Sequence, residues 1–306
     1  PPECSGFFGL DAPAAHLRFD IPPFPPPSSS CHGKRQQPLA SPGLRDEMED
    51  TERKRLLGRA RAIIALGLAV ALVPAWLALP RGRRASRRVE QWFHRLIVGG
   101  HGLQVRLHGV PQHQAGTLFI ANHVSWIDIP VLASVLDAAF VAKDDVAGWP
   151  VIGALARRQG TIFIARDRPR EAAAQQRELA RRLARQGVIM FPEGTTSIGS
   201  GLLPFRSSLF AAAAGARAVQ PVALVYGHRD GTPMTNRQRR AIAWLDDDAL
   251  LPHAMQLATL DGLCVDIYFE EPLVIADRKL LAQTCRQRIL DRLAGDDQAA
   301  ALNRVA

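Results

Sequence analysis

Two short stretches of this chain hold the residue types and spacing that acid–base chemistry needs. Asn122-His123-Val124-Ser125-Trp126-Ile127-Asp128 places a histidine five residues before an aspartate, directly after an apolar run. Phe191-Pro192-Glu193-Gly194-Thr195 forms a Pro-Glu-Gly turn signal after a second apolar run. Residues five apart do not share a face of a regular helix. They can meet if the histidine sits in a loop and the aspartate in the first helical turn. Pro130 favours a helix start near Asp128, because proline is tolerated in the first turn. Asp128 could then hold one imidazole nitrogen and fix the tautomer, leaving the other nitrogen as a base. The same residues also allow a plainer account, in which Asp128 or Ser125 caps a helix and Pro192-Gly194 only turns the chain. Arg166 and Arg206 each follow an apolar segment, and a guanidinium there suits phosphate or carboxylate. Either one taken alone also fits a surface arginine.

The elements that must position these residues alternate between strand and helix patterns. Leu103, Val105 and Leu107 read as a half-buried strand, and 117–121 as a short buried one. Residues 129–136 read as a helix, 140–142 and 161–164 as strands, and 170–186 as a long Ala- and Arg-rich helix closed by Gly187. A strand over 188–191, a helix over 208–214, strands over 220–226 and 263–269, and a closing helix over 277–293 complete the pattern. This alternation predicts an α/β domain over 101–306 with a mixed, largely parallel sheet and flanking helices. Buried parallel strands with polar loops at their ends make a suitable place for a site.

Upstream, residues 62–80 carry no charge and are rich in Ala, Leu, Val and Ile. At about 1.5 Å per residue their length approaches the thickness of a bilayer core. Arg53, Lys54, Arg55, Arg59 and Arg61 precede the segment, and Arg81, Arg83, Arg84, Arg87 and Arg88 follow it. Cations on both sides leave the positive-inside rule silent on orientation. The symmetry favours both ends on one side, so the segment is expected to dip in or lie shallow, with Pro74 interrupting its helix. A full span and a buried soluble helix are the alternatives. Val89, Trp92, Phe93, Leu96 and Ile97 recur at helical spacing and predict one apolar face, packed on the protein or resting in the lipid interface. Residues 48–100 are thus expected to form a membrane-anchoring helical region. Residues 1–47, with Pro22-Pro23-Phe24-Pro25-Pro26-Pro27 and a serine run, read as a disordered Pro-rich extension ahead of the first methionine, Met48. A Pro-rich docking tail is the functional alternative for it.

The chain has 306 residues and a net charge of +9, from 38 Lys and Arg against 29 Asp and Glu, which suits anionic partners such as lipid or nucleic acid. Only 6% of residues are aromatic and no zinc-finger or RNA-recognition spacing occurs, which argues against nucleic acid. Cys4, Cys31, Cys264 and Cys285 lie far apart with no CxxC pair, so neither a metal site nor a disulfide framework is expected.

In combination these stretches resemble the glycerolipid acyltransferase family typified by lysophosphatidate acyltransferases. That family carries four ordered blocks. Its N-H-x4-D block matches Asn122, His123 and Asp128, and its glycine–apolar–arginine block matches Gly160 to Arg166. Its third block matches Phe191-Pro192-Glu193-Gly194-Thr195, and its apolar, proline-containing block matches Val219-Gln220-Pro221-Val222. The resemblance covers roughly Leu103 to Tyr226 and the N-terminal apolar segment. Thr196 stands where the third block often continues with arginine, so any contact that arginine would make must come from Arg206 or elsewhere.

The resemblance implies an enzyme with no cofactor or metal, using acyl-CoA or acyl carrier protein as co-substrate. His123 would be the base and Asp128 its orienting partner. Arg166, Glu193, Gly194, Thr195 and Arg206 would hold the acceptor, with Arg166 facing its head group. The first expectation is acylation of 1-acylglycerol-3-phosphate to phosphatidate at the cytoplasmic side of a bacterial inner membrane. The alternative acceptor is a lyso-ornithine lipid, because the runs Phe140 to Pro150 and Leu203 to Phe210 look like that bacterial branch. A non-catalytic membrane-binding scaffold is the third possibility.

Overall fold

The computed structural model describes residues 42–112, 115–165, 172–232, 234–245 and 248–302. Most of the expected Pro-rich extension (1–41) and Arg166 lie outside the described residues.

Seven strands form one sheet in the order β1-β7-β6-β2-β5-β3-β4. They are β1 (Gln104–His108), β2 (Thr117–Ala121), β3 (Ala138–Lys143), β4 (Ile162–Ile164), β5 (Gly187–Met190), β6 (Ala218–His228) and β7 (Leu263–Phe269). Five neighbouring pairs are parallel and only β6–β7 is antiparallel. The expected mixed, largely parallel sheet is therefore present. Every residue of β2 is buried, as a strand covered on both faces requires. Leu118 and Ile120 face one core, with Leu179 and Leu183 of helix α5 (Ala172–Leu183) and Leu281, Cys285 and Ile289 of α8 (Arg278–Leu302). Phe119 and Ala121 face the other, with Val131 and Leu132 of α3 (Asp128–Val135) and residues of α2 (Arg84–Gly100), α6 (Asn236–Ile242) and α7 (Leu250–Leu257). The result is a three-layer sandwich. β1 is an edge strand, and its Leu107 is 50% exposed where alternation had suggested burial.

Helix α1 runs unbroken over Pro42–Ala78. It begins inside the stretch assigned to the Pro-rich extension, with Pro42 at a first-turn position that needs no N–H. Pro74 does not interrupt it: the ring is exposed, and a proline removes a single intrahelical bond. From Met48 to Ala78 the helix is long and apolar enough to cross a membrane, with a mean hydropathy of 2.0 and only 22% burial in its most apolar window. Helix α2 packs beside it through small residues. A Cβ on Gly100 would lie 2.4 Å from the Ala65 methyl, so only glycine permits this approach. Gly58 of α1 passes equally close to the Ala258 carbonyl after α7. Helix α4 (Ile152–Gln159) adds a polar fastening. Arg158 donates to the carbonyls of Trp76 and Leu79 at the end of α1, the latter at 2.5 Å, and reaches the Ser86 hydroxyl at 3.3 Å.

Candidate active site

The parallel pairing of β2 with β5 opens their carboxyl ends on the same edge of the sheet. The loop over 122–127 follows β2 and the loop over 191–206 follows β5, so the two polar stretches face each other. Asn122 fixes the first loop to β6. Its amide donates to the Leu224 carbonyl at 3.0 Å, and its oxygen accepts from the Leu224 N–H at 2.7 Å. His123 follows with its ring stacked on Phe191, centroids 4.1 Å apart and planes 13° from parallel. The chain then turns into α3, whose first residue is Asp128.

His123 Nδ1 and Asp128 Oδ2 are 2.8 Å apart. A carboxylate only accepts, so Nδ1 carries the proton and Nε2 keeps its lone pair. Asp128 is fully buried, whereas the His123 side chain remains 16% exposed. The same Oδ2 accepts from the backbone N–H groups of Val124 at 2.7 Å and Ser125 at 2.9 Å. Tyr226 donates its hydroxyl to the other oxygen, Oδ1. The aspartate does not cap α3 in the usual sense: its donors come from the loop before the helix, so the carboxylate holds that loop around the histidine.

Glu193 braces the opposite side. Its Oε1 accepts the His123 backbone N–H at 2.8 Å, and Oε2 accepts the Leu203 N–H at 2.9 Å. The residue is 3% exposed, and burial raises its carboxyl above the ordinary 4.5, an effect opposed by those two N–H groups. The sequence suggested that Glu193 holds the acceptor; the geometry engages both of its oxygens with the backbone. Gly194 has φ +80 and donates to the Phe191 carbonyl at 3.2 Å, a turn whose left-handed residue favours glycine. Thr195 and Arg206 are exposed on this loop, and the Arg206 N–H donates to the Pro192 carbonyl at 3.0 Å.

Three supports had no clear sequence signal. Tyr226 lies near the carboxyl end of β6, which overhangs β2: pairing ends at Ala121–Val222, while β6 continues to His228. Trp244, between α6 and α7, donates its backbone N–H to the Val124 carbonyl at 3.1 Å, and its carbonyl accepts the Thr196 hydroxyl. His253 of α7 accepts from Trp126 Nε1 at 3.0 Å and donates from Nε2 to the Ala243 carbonyl at 3.0 Å. Accepting from Trp126 requires a neutral ring, and burial lowers the His253 pKa in the same sense.

Among the described residues, neither Ser125 nor either cysteine is placed as a competing nucleophile. The Ser125 hydroxyl is fully buried and has no hydrogen-bond partner among the described residues. Cys264 and Cys285 are buried, and burial pushes the Cys285 thiol up to about 12. What remains is an oriented imidazole with an available lone pair, suited to deprotonating a hydroxyl that attacks an acyl group directly.

Fold and site together place an oriented imidazole at the carboxyl ends of parallel strands. A family model described as Acyltransferase matches residues 104–225. The chain belongs to the acyltransferase family and is an acyltransferase enzyme. Among its relatives, a lyso-ornithine lipid O-acyltransferase of Rhizobium meliloti (strain 1021) is 39% identical over 266 residues, covering 81% of this chain and 90% of the relative. A 1-acyl-sn-glycerol-3-phosphate acyltransferase of Neisseria gonorrhoeae is 44% identical over 124 residues, covering 40% of this chain and 48% of the relative. The fold is similar to the crystal structure of the 1-acyl-sn-glycerophosphate acyltransferase PlsC from Thermotoga maritima, with a TM-score of 0.59, 19% identity, and coverage of 80% of this chain and 97% of that one.

Proposed function

We propose that this enzyme transfers a fatty acyl group from a thioester to the free hydroxyl of a lyso-ornithine lipid. The observation that carries the chemistry is the 2.8 Å bond from His123 Nδ1 to the buried Asp128 carboxylate. His123 Nε2 takes the proton of the acceptor hydroxyl as its oxygen bonds to the thioester carbonyl carbon. The tetrahedral oxyanion collapses, the carbon–sulfur bond breaks, and the imidazolium returns its proton to the leaving thiolate. An ester and a free thiol result, with no acyl-enzyme.

The choice of acceptor rests on extent of similarity. The Rhizobium relative matches across both the helical region and the α/β domain, whereas the Neisseria relative matches less than half of this chain. That reverses the order expected from the blocks alone, and acylation of 1-acylglycerol-3-phosphate becomes the second reading. Both acceptors are single-chain lipids with an anionic group, for which Arg166 and the exposed Arg206 are the candidate contacts. Helix α1 supports work at a membrane, since Ile63, Ile64, Leu68, Val70 and Leu77 are each more than half exposed. We place the site on the cytoplasmic side, where the thioester donors, acyl-CoA or acyl carrier protein, are found.

The test is thiol release by the purified, detergent-held protein with each lipid acceptor offered separately and His123→Ala as control. Release that needs the lyso-ornithine lipid and His123 supports the proposal. Release with lysophosphatidate alone replaces the acceptor and keeps the mechanism. Full activity in His123→Ala removes the base.

A further inference from the structure

We infer that Tyr226 is a third, positioning member of the catalytic relay, acting on His123 through Asp128. The inference rests on the transfer mechanism proposed above. Tyr226 lies one residue beyond the stretch matched by the acyltransferase family model. It projects from β6 on the same face as Val222 and Leu224, within a cluster where an apolar side chain would fill the space. Its hydroxyl instead donates to Asp128 Oδ1, the oxygen that the loop leaves over. Oδ2 already serves the imidazole and two backbone N–H groups. Without the tyrosine, Oδ1 of a fully buried carboxylate would have no donor among the hydrogen bonds described here, and an unmatched buried charge of this kind is costly.

Held at both oxygens from two different elements, the carboxylate cannot rotate about its own bond and keeps Oδ2 aimed at Nδ1. Tyr226 does not itself transfer a proton. Burial, followed by the neighbouring Asp128 charge, raises its pKa well above the ordinary 10, so it remains a neutral donor throughout the cycle. Its contribution is orientation, and dilution of the carboxylate's charge. Asn122 secures the arrangement by locking β2 to β6 at Leu224, two residues before the tyrosine.

The experiment compares wild type, Tyr226→Phe, Asp128→Ala and the double variant, on whichever lipid acceptor supports thiol release. Tyr226→Phe keeps the ring and deletes only the donor. We expect kcat to fall about tenfold, KM to change less than twofold, and the acid inflection of the kcat/KM profile to move to higher pH. The shift follows because the carboxylate, relieved of one donor, attracts the imidazolium proton more strongly. In the Asp128→Ala background the same change should cost almost nothing, because the side chain through which Tyr226 acts is gone. An equal loss in both backgrounds, or an unchanged kcat, overturns the inference. The downfield Nδ1–H proton resonance of His123, recorded without acceptor or donor, must also move in Tyr226→Phe. This reading separates a failure here from a failure of the proposed reaction, and an unmoved resonance overturns the inference whatever the acceptor.

Discussion

Asp128→Asn tests whether the aspartate works by charge or merely by shape. The amide fits the site without rearrangement. Its oxygen can accept from His123 Nδ1, Val124 and Ser125 as Oδ2 does now, while its NH2 points at the Tyr226 oxygen, which can accept. The histidine tautomer and the loop are therefore preserved, and only the negative charge is lost. With Nδ1 and Oδ2 2.8 Å apart, the centres of an imidazolium and a carboxylate are separated by about 4 Å. At an effective dielectric near 20, their attraction is roughly 4 kcal/mol. It acts only once the imidazole has taken the acceptor's proton, so it belongs to the transition state. Each ~1.4 kcal/mol is tenfold in rate, giving a fall in kcat of about a thousandfold with KM unchanged. Thiol release followed with a chromogenic reagent at saturating acceptor measures this, with thermal unfolding confirming that the variant is folded. A loss below about tenfold in a folded variant refutes the electrostatic account and leaves Asp128 as a tether for the loop.

Two other perturbations have definite signs. Gly58→Ala places a Cβ 2.1 Å from the Ala258 carbonyl oxygen, a backbone atom with little room to yield. The ~1 kcal/mol of helix propensity gained by alanine does not offset that overlap, so α1 should detach from the α/β domain. Amide hydrogen exchange would then quicken along α1 while β2, β5 and β6 stay protected; unchanged exchange in α1 contradicts this packing. For Glu193 the sign follows from linkage. Burial raises its folded-state pKa above 4.5, so the folded state keeps the proton longer than the unfolded chain does. This carboxyl therefore lowers stability progressively as pH rises from 4.5 through the raised value. Glu193→Gln removes that dependence, so the stability of the variant relative to wild type should improve between pH 4 and pH 8. A relative stability that is flat or falls across that range rules the burial effect out.

The sheet was legible because its central strands are buried on both faces and appear as short apolar runs ended by polar or glycine-containing loops. β2 and β7 match the sequence expectation residue for residue, and β5 nearly so. His123 and Asp128 were legible because Pro130 marks the helix start that brings them together. Other features depend on tertiary contacts that no local pattern encodes. Glu193 looked like a substrate ligand because its turn resembles a functional block, yet both its oxygens brace backbone N–H groups. Helices α4, α6 and α7 span only seven or eight residues each, too few turns for periodicity to be visible. Helix α2 follows the expected stripe only in part: Val89, Phe93, Leu96 and Ile97 are half-buried, with Phe93 against Trp76 of α1 and Ile97 against the core. Trp92 of its apolar stripe is 57% exposed, while Ser86, His94, Val98 and Gly100 are buried. Close packing against α1 selects small residues such as Gly100, not the largest apolar ones.

Register, more than local motif, determines whether this site can function. The histidine, the aspartate and their loop come from one continuous stretch and would approach each other in any fold that turns at Ser125. Tyr226 and Leu224 meet that stretch only because Ala121 pairs with Val222 and β6 runs on past the end of its neighbour. Sliding β6 by two residues, the smallest slip that preserves its buried face, would put Leu224 or His228 opposite Asp128. The Asn122 amide opposes such a slip, since both of its hydrogen bonds go to the backbone of Leu224. An asparagine immediately before His123 therefore has a mechanical purpose separate from chemistry. It ties the loop to the strand that carries the second donor for Asp128, so that the imidazole is aimed by two elements of the sheet rather than by a mobile loop alone.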